Sequence, residues 1–195
     1  EGTKNRVNTE VDQNKKKKSE RAYCKKLPRS RRYTTILGNW EYWVVSDHQK
    51  WREKLWKYGV QLLVEESVEL DGLTILGTDD HLSGSCNPQA LRKKLSKKPT
   101  LCLTHSPEVF PQLAHAPIDI VLAGHAHGGQ VSLPLLGPVW VPHGTGGFIG
   151  GWYTQNQTHL FVSRGLGWSV APLRLFCSPE IVSIFTAGNT DGYSQ

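Results

Sequence analysis

The sequence predicts an α/β layered domain, and three observations support this fold class. In the first half of the chain, short continuous apolar runs, typical of strands buried on both faces of a sheet, alternate with amphipathic segments. Towards the end, strand-forming apolar runs follow one another without helical segments between them. Hydrophobic residues make up 38% of the 195 residues, which is enough for a packed core and argues against general disorder.

The first 32 residues differ from the rest of the chain. Residues 1–32 are lysine-rich and contain the runs KKKK and RSRR, whereas the remainder is close to balanced in charge. The segment has so few aliphatic residues that the apolar surface it could bury would not offset the conformational entropy lost on ordering. We therefore expect a disordered basic leader that carries most of the net charge of +6. An arm that binds nucleic acid or a membrane is the alternative. No aromatic residues are interleaved to stack on bases, so nucleic acid is disfavoured as a partner.

The first predicted elements are a strand and a helix. Residues 33–38 (YTTILG) are β-branched and apolar up to a glycine, which indicates a buried strand. Residues 46–59 predict an amphipathic helix, which Ser46 or Asp47 caps and Gly59 ends. Its apolar residues recur at helical spacing: Trp51, Leu55 and Tyr58.

A hairpin and a second helix follow. Residues 60–70 and 73–79 predict two strands, and the Asp71-Gly72 pair between them is a strong signal for a tight hairpin turn. Residues 87–97 predict a short helix, because an asparagine can cap its start and a proline occupies its first turn.

The remaining chain alternates once more and then becomes strand-rich. Residues 100–105 and 118–127 predict buried strands on either side of a short helix over residues 106–116. Three later strands are predicted over residues 129–134, 159–167 and 179–188.

Side chains able to bind metals follow three of the predicted strands. Asn39 follows the first strand, and His105 ends the strand that starts at residue 100. His125 and His127 follow the next strand, in the sequence GHAHGG. Ligands bind beyond the carboxyl ends of strands in open α/β sheets, so we expect these side chains to gather at one edge. Imidazole and amide ligands suit Zn, Mn, Fe, Co or Ni better than Ca or Mg.

Glycines surround the histidine pair. Gly124 precedes it and Gly128 and Gly129 follow it, which predicts a tight turn with positive φ that aims the two rings at adjacent points. Two polar residues at an ordinary turn are the alternative, since a single H-x-H is a weak signal. Three converging strand ends favour the metal-ligand interpretation.

Four motifs together resemble the calcineurin-like metallophosphoesterases, and most closely a bacterial branch typified by membrane-associated phosphodiesterases. They are GN after the first strand, THSPEVF, IDIVLAGHAHGGQVSLP and LFVSRGLGWSVAPLRLFCSPEIV. The G-H-x-H-G-G-Q run is specific, whereas G-N alone is not. The resemblance implies part of a four-layer α/β/β/α sandwich, with residues 33–187 as the C-terminal portion of the domain and residues 188–195 as a tail.

The resemblance also implies a reaction. Asn39, His105 and His125 would hold one divalent metal ion, and His127 would help to hold a second. Two such ions, or one if only part of the site is present, would activate a hydroxide for hydrolysis of a phosphomonoester, phosphodiester or pyrophosphate bond. The implied partner is a phosphorylated small-molecule or lipid-linked substrate.

The resemblance and the composition together give an expectation for the cellular location of the protein. The chain has no signal peptide and no run of about 18 apolar residues. We therefore expect a cytoplasmic or membrane-peripheral bacterial protein, with peripheral membrane contact allowed. Oligomeric state is not predicted.

Two family motifs are missing before Asn39. The family has D-x-H and G-D there, but residues 1–38 contain Asp12 as their only aspartate. The alternative function is therefore a truncated, non-catalytic remnant with at most one metal site. Asp79 and His81 have the D-x-H form, but in the wrong order along the chain.

The G-N motif also departs from the family. Most members have G-N-H-[DE], and here Trp40 replaces the histidine, although an indole cannot shuttle protons at neutral pH. Glu41, at the family's carboxylate position, or a metal-bound water is the candidate acid, while Trp40 packs in the core or lines the pocket. Arg164 is a candidate for bidentate contact with a substrate phosphate, and a structural loop role is the equal alternative.

Overall fold

The computed structural model describes residues 32–95, 97–169 and 171–185. The basic leader predicted over residues 1–32 lies outside the described residues except for Arg32, and the predicted tail over residues 188–195 lies outside them altogether. Within the described residues, no helix has the length and apolar character that crossing a membrane requires.

The described part of the chain forms ten strands, four α-helices and three 3₁₀ turns. The strands are β1 Tyr33–Thr35, β2 Val60–Leu62, β3 Glu66–Leu70, β4 Leu73–Gly77, β5 Thr100–Thr104, β6 Ile120–Ala123, β7 Ser132–Leu133, β8 Gly137–Pro138, β9 Gly151–Gln155 and β10 Thr158–Val162. The α-helices are α1 Asn39–Val44, α2 His48–Trp56, α3 Pro88–Leu91 and α4 Phe110–Leu113. The 3₁₀ turns are Arg92–Lys94, Pro107–Val109 and His127–Gly129.

Six strands build the main sheet, in the order β3-β4-β5-β6-β10-β9. The central strands β4, β5, β6 and β10 run parallel, while β3 and β9 are antiparallel edge strands. Strands β1 and β2 form a separate parallel pair, and β7 and β8 form an antiparallel hairpin. The mixed sheet with its few helices confirms the predicted α/β class and is consistent with the calcineurin-like fold that the motifs implied.

The larger hydrophobic core covers one face of the main sheet. Its central row consists of residues that are in register across four strands and fully buried: Leu76, Cys102, Val121 and Leu160. The short helices α3 and α4 pack over this row and contribute the buried Leu91 and Phe110. Burial of this apolar surface holds β5 and β6 rigidly, and with them the loops at their carboxyl ends.

A smaller core lies between α2 and the β1–β2 pair. The predicted amphipathic helix is confirmed as α2, and its cap is Asp47, whose side chain accepts a hydrogen bond of 2.9 Å from the backbone N–H of Gln49. Trp51 of this helix is buried against Leu37 and Leu62. The segment that leads to Asn39 is therefore anchored by its own core.

The predicted hairpin between β3 and β4 is confirmed. Asp71 and Gly72 have φ values of 49° and 84°, so both adopt the left-handed conformation that a two-residue hairpin of type I′ requires. The predicted cap of α3 is confirmed as well, because the side chain of Asn87 accepts a hydrogen bond of 3.1 Å from the backbone N–H of Ala90.

Two strand predictions are wrong. Residues 60–70 do not form one strand, because Glu65 has a φ of 53° and divides the run into β2 and β3, which belong to different sheets. Residues 179–185, the described part of the strand predicted over residues 179–188, have no regular structure. No described strand pairs with them, and Phe185 is 92% exposed, so their β-forming side chains have neither a ladder nor a core to join.

Candidate metal centre

Three of the residues predicted as metal ligands lie at the carboxyl ends of strands. Asn39 is the first residue of α1, shortly after β1. His105 directly follows β5, and His125 follows β6 after a single glycine. Since β5 and β6 are parallel neighbours, the two histidines leave the same edge of the main sheet side by side.

The side chains of these residues meet. His105 Nε2 lies 3.1 Å from Asn39 Oδ1 and also 3.1 Å from His125 Nδ1. The two imidazole rings are 4.8 Å apart between centroids and meet edge to face. One amide oxygen and two ring nitrogens therefore converge, which is the clustering that the strand ends predicted.

A glycine allows the close approach of α1 to His105. A Cβ added at Gly38 would lie 2.7 Å from Cε1 of the His105 ring, closer than real Cβ atoms come. Any larger residue at position 38 would therefore push Asn39 and His105 apart. The G-N pair thus has a physical reason: glycine gives the ring its space, and asparagine supplies the oxygen.

The donor set fits one divalent transition-metal ion. Metal–nitrogen bonds of about 2.0–2.1 Å place neighbouring ligand atoms roughly 3 Å apart around an ion, which matches the two separations of 3.1 Å. In the described part of the chain, no group of three or more His, Cys, Asp or Glu side chains is arranged to hold a metal. The site described above has two histidine donors, and its third donor is the amide oxygen of Asn39, a residue type outside those four.

His127 lines the same cavity but has different neighbours. Its Nδ1 lies 3.5 Å from Nη2 of Arg174, and its backbone carbonyl accepts hydrogen bonds from Arg174 and from the thiol of Cys177. None of the described residues that line the cavity is an aspartate or a glutamate. The described residues therefore fit one ion, and they supply no carboxylate to join His127 in holding a second.

The turn that carries the histidines is more strained than its glycines suggested. Gly128 and Gly129 have positive φ, as predicted, but so do His125, His127 and Gln130, at 62°, 50° and 55°. A non-glycine residue in this region costs of the order of 1–3 kcal/mol and persists only where its surroundings enforce it. The enforcing contacts come from further along the chain.

We call residues 171–177 the clamp segment, because they pair with the end of the histidine turn. The backbone N–H of Leu175 donates to the carbonyl of Gln130 at 3.0 Å, and the N–H of Ser132 donates to the carbonyl of Leu175 at 2.9 Å. The side chain of Gln130 donates to the carbonyl of Ala171 at 2.8 Å. These bonds fix the strained turn from its C-terminal side.

Arg174 is the central residue of the clamp segment. Its guanidinium donates to the backbone carbonyls of Arg164, at 2.6 Å, and of Gly167, at 2.5 Å and 2.8 Å, which both lie in the loop that follows β10. It also reaches the carbonyls of His127 and Cys177, both at 3.3 Å. A single planar cation thereby holds the histidine turn to the loop that follows β10.

The two remaining candidate residues do not line the cavity. Glu41 caps α1, because its carboxylate accepts a hydrogen bond of 3.0 Å from the backbone N–H of Gly38. Arg164 is paired with Glu180, donating from Nε at 3.0 Å and from Nη2 at 2.6 Å. These hydrogen bonds lower the pKa of Glu180 below its usual value. Both roles assigned from sequence stay predictions, and the structure gives each residue a structural task.

The Asp79-x-His81 motif lies beside the cavity. Asp79 is buried and accepts hydrogen bonds from the hydroxyl of Tyr42 and from the N–H of Ser85. Asp80 is fully buried and uses Oδ2 to accept the N–H groups of the next turn, while its Oδ1 has no partner within the described residues. Burial raises the pKa of Asp80, and the neighbouring turn and His125 oppose that effect.

The candidate ligands open into a cavity of about 500 Å³. Its lining combines the four predicted ligands with a set of mostly apolar side chains. These further residues are Trp40, Trp43, Leu82, Ser83, Trp140, Pro142, His143 and Ser169. A volume of this size suits a small-molecule ligand.

The chain is similar to curated phosphoesterases. It is 33% identical over 120 residues to the uncharacterized metallophosphoesterase YkuE of Bacillus subtilis, covering 61% of this chain and 42% of that protein. It is 33% identical over 110 residues to phosphodiesterase YaeI of Escherichia coli, covering 56% and 40%. It is 33% identical over 134 residues to UDP-2,3-diacylglucosamine pyrophosphatase LpxG of Chlamydia muridarum, covering 62% and 40%.

These similarities confirm the resemblance seen in the motifs. The chain is related to the metallophosphoesterases, and its named relatives are hydrolases of phosphoester or pyrophosphate bonds. It spans 40–42% of the length of these three relatives. No protein-family profile matches the chain. No solved structure matches it either.

Proposed function

We propose that the protein that carries this chain is a divalent-metal-dependent phosphoesterase, acting on phosphomonoester, phosphodiester or pyrophosphate bonds. The observation that carries this proposal is the convergence of Asn39 Oδ1, His105 Nε2 and His125 Nδ1, with successive separations of 3.1 Å, at the mouth of a cavity. The names of the relatives support the same reaction class.

The chain's own residues prepare the donor atoms. His125 Nε2 lies 2.6 Å from the backbone carbonyl oxygen of His143. Because this oxygen can only accept, Nε2 is the nitrogen that carries the hydrogen and donates the hydrogen bond. The lone pair of His125 is then on Nδ1, the atom that faces His105. A bound ion, which we expect to be Zn, Mn, Fe, Co or Ni, would supply Lewis acidity toward phosphate oxygens and lower the pKa of a water molecule.

The second ion of a complete family site would involve His127, and it requires a carboxylate that the described lining does not supply. A second candidate function is therefore a truncated, non-catalytic remnant with at most one metal site. Metal analysis of the purified chain separates the two: two equivalents favour the complete enzyme, and one or none favours the remnant.

The substrate is proposed to be a phosphorylated small molecule or a lipid-linked one. YaeI is named a phosphodiesterase, and LpxG is named for a diacylated nucleotide sugar, which supports both kinds of substrate. These relatives are bacterial, which supports a bacterial setting, and the cytoplasmic or membrane-peripheral location stays a prediction.

Substitution of His125 tests the proposal. We expect His125→Ala to abolish both metal loading and hydrolysis of a generic aryl phosphate, because it removes one of the three converging donors. His115→Ala is the matched control, since His115 is exposed and lies on a different surface depression. Unchanged hydrolysis by the His125 variant would refute the proposal.

A further inference from the structure

The cavity at the candidate metal centre is lined by two chemically different groups of side chains. The polar group includes the amide of Asn39 and four imidazoles, those of His105, His125, His127 and His143. The apolar group consists mainly of three indoles, those of Trp40, Trp43 and Trp140, with the smaller apolar surfaces of Leu82 and Pro142.

The indoles are placed as a binding surface and not as a core. Trp43 is 59% exposed and Trp140 is 54% exposed, although burial of such side chains is strongly favourable. Trp40 and Trp43 are 4.7 Å apart between ring centroids and inclined by 57°, so they form a wedge and not a parallel stack. A wedge of this kind presents ring surface to a planar group that enters the cavity.

Two different parts of the chain carry the indoles. Trp43 lies on α1, the helix that begins with Asn39, while Trp140 follows strand β8. Strand β8 packs on the histidine turn, because a Cβ at Gly129 would lie 2.2 Å from Cβ of Pro138. The aromatic wall formed by these indoles is thus carried by α1, which also supplies Asn39, and by the segment after β8, which packs on the histidine turn.

We infer that this wall binds an aromatic group attached to the substrate phosphate, with the phosphate directed to the histidines. The inference rests on the proposed function and narrows its substrate class. Indoles prefer planar partners, with which they form stacked or edge-to-face contacts, over alkyl chains of equal area. A cavity of about 500 Å³ also suits one compact ring system.

Binding of non-hydrolysable phosphonates to the metal-loaded chain tests the inference. Isothermal titration with phenylphosphonate, hexylphosphonate and methylphosphonate compares an aromatic, an alkyl and a minimal substituent on the same head group. We expect phenylphosphonate to bind roughly tenfold more tightly than the other two. Trp43→Leu and Trp140→Leu, which keep an apolar side chain but remove the ring, should each lose most of this preference.

Trp56→Leu is the matched control. Trp56 is 71% exposed but lines a different depression, beside β1 and β3, so its variant should keep the full preference for the phenyl group. Equal binding of phenylphosphonate and hexylphosphonate, or an unchanged preference in both cavity variants, would overturn the inference. Absence of binding by every phosphonate would overturn it too.

The two proposals fail in different ways. His125→Ala should weaken all three phosphonates together, since it acts on the head group, whereas the tryptophan variants should change only the preference among them. Tight, ring-selective binding without hydrolysis of any aryl phosphate would refute the phosphoesterase and leave the aromatic subsite standing.

Discussion

Alanine substitution of the glycines around the histidine pair should have graded effects on stability. Gly129 has a φ of 74°, and a Cβ added there would lie 2.2 Å from Cβ of Pro138. Gly124 opens the same loop, but its φ is outside the left-handed region and an added Cβ would meet no atom within 4 Å. Comparing alanine variants of these two glycines therefore isolates the effect of backbone conformation and steric contact within one motif.

The expected loss of stability in Gly129→Ala is the sum of a conformational and a steric contribution. The left-handed conformation disfavours an L-residue by about 1–2 kcal/mol. Steric overlap adds about 1–3 kcal/mol, because Pro138 is held in the β7–β8 ladder opposite Ser132 and cannot withdraw like a flexible side chain. We expect Gly129→Ala to lower the free energy of unfolding by about 2–5 kcal/mol. Gly124→Ala should change it by less than about 1 kcal/mol.

Urea unfolding, followed by circular dichroism in the presence of a chelator, measures both variants without a contribution from bound metal. The midpoint for Gly129→Ala should fall well below that of the wild type, while that for Gly124→Ala should remain close to it. Coincident midpoints for the two variants would show that the turn relaxes freely, and the reasoning about its rigidity would be wrong.

Two further predictions concern the contacts around the clamp segment. Arg174→Ala should lower the free energy of unfolding by about 2–3 kcal/mol, because it removes the donor shared by carbonyls of the histidine turn and of the loop that follows β10. Urea midpoints test this, and an equal effect of Arg92→Ala, at an exposed position, would contradict it. Glu180→Gln should reduce stability at neutral pH. The Arg164 hydrogen bonds lower the pKa of Glu180 from its ordinary 4.5, so the stabilisation is present above that value and is lost as pH falls through the lowered one. The stabilities of wild type and variant should converge in acid, and a constant difference at all pH values would refute this assignment.

Much of the architecture is predictable because it depends on local patterns. The Asp71-Gly72 hairpin follows from the positive φ that both residues must adopt. The proximity of His105 and His125 follows from strand direction, since the carboxyl ends of the parallel neighbours β5 and β6 share one edge, whereas Asn39 joins them from the separate β1–β2 pair. Whether these three residues bind a metal stays a prediction, because geometry shows convergence and not occupancy.

The features that sequence patterns miss depend on contacts distant in the chain. Glu65 reads as part of a strand, yet its carboxylate accepts the N–H groups of Asp79 and Asn87, which holds its backbone in the left-handed region. Strand β9 contains few aliphatic residues and exists because it pairs with β10. Residues 179–185 show the converse, since β-forming side chains without a partner strand remain irregular.

The short helix α1 places Asn39 between two sheets of the structure. Asn39 belongs to the part of the protein built on the β1–β2 pair, whereas His105 and His125 belong to the main sheet. Any ligand that contacts all three would bridge the β1–β2 pair and the main sheet, and its binding energy would add to the cohesion between them. The same ligand should therefore slow hydrogen exchange in β1 and β2 as well as in the main sheet.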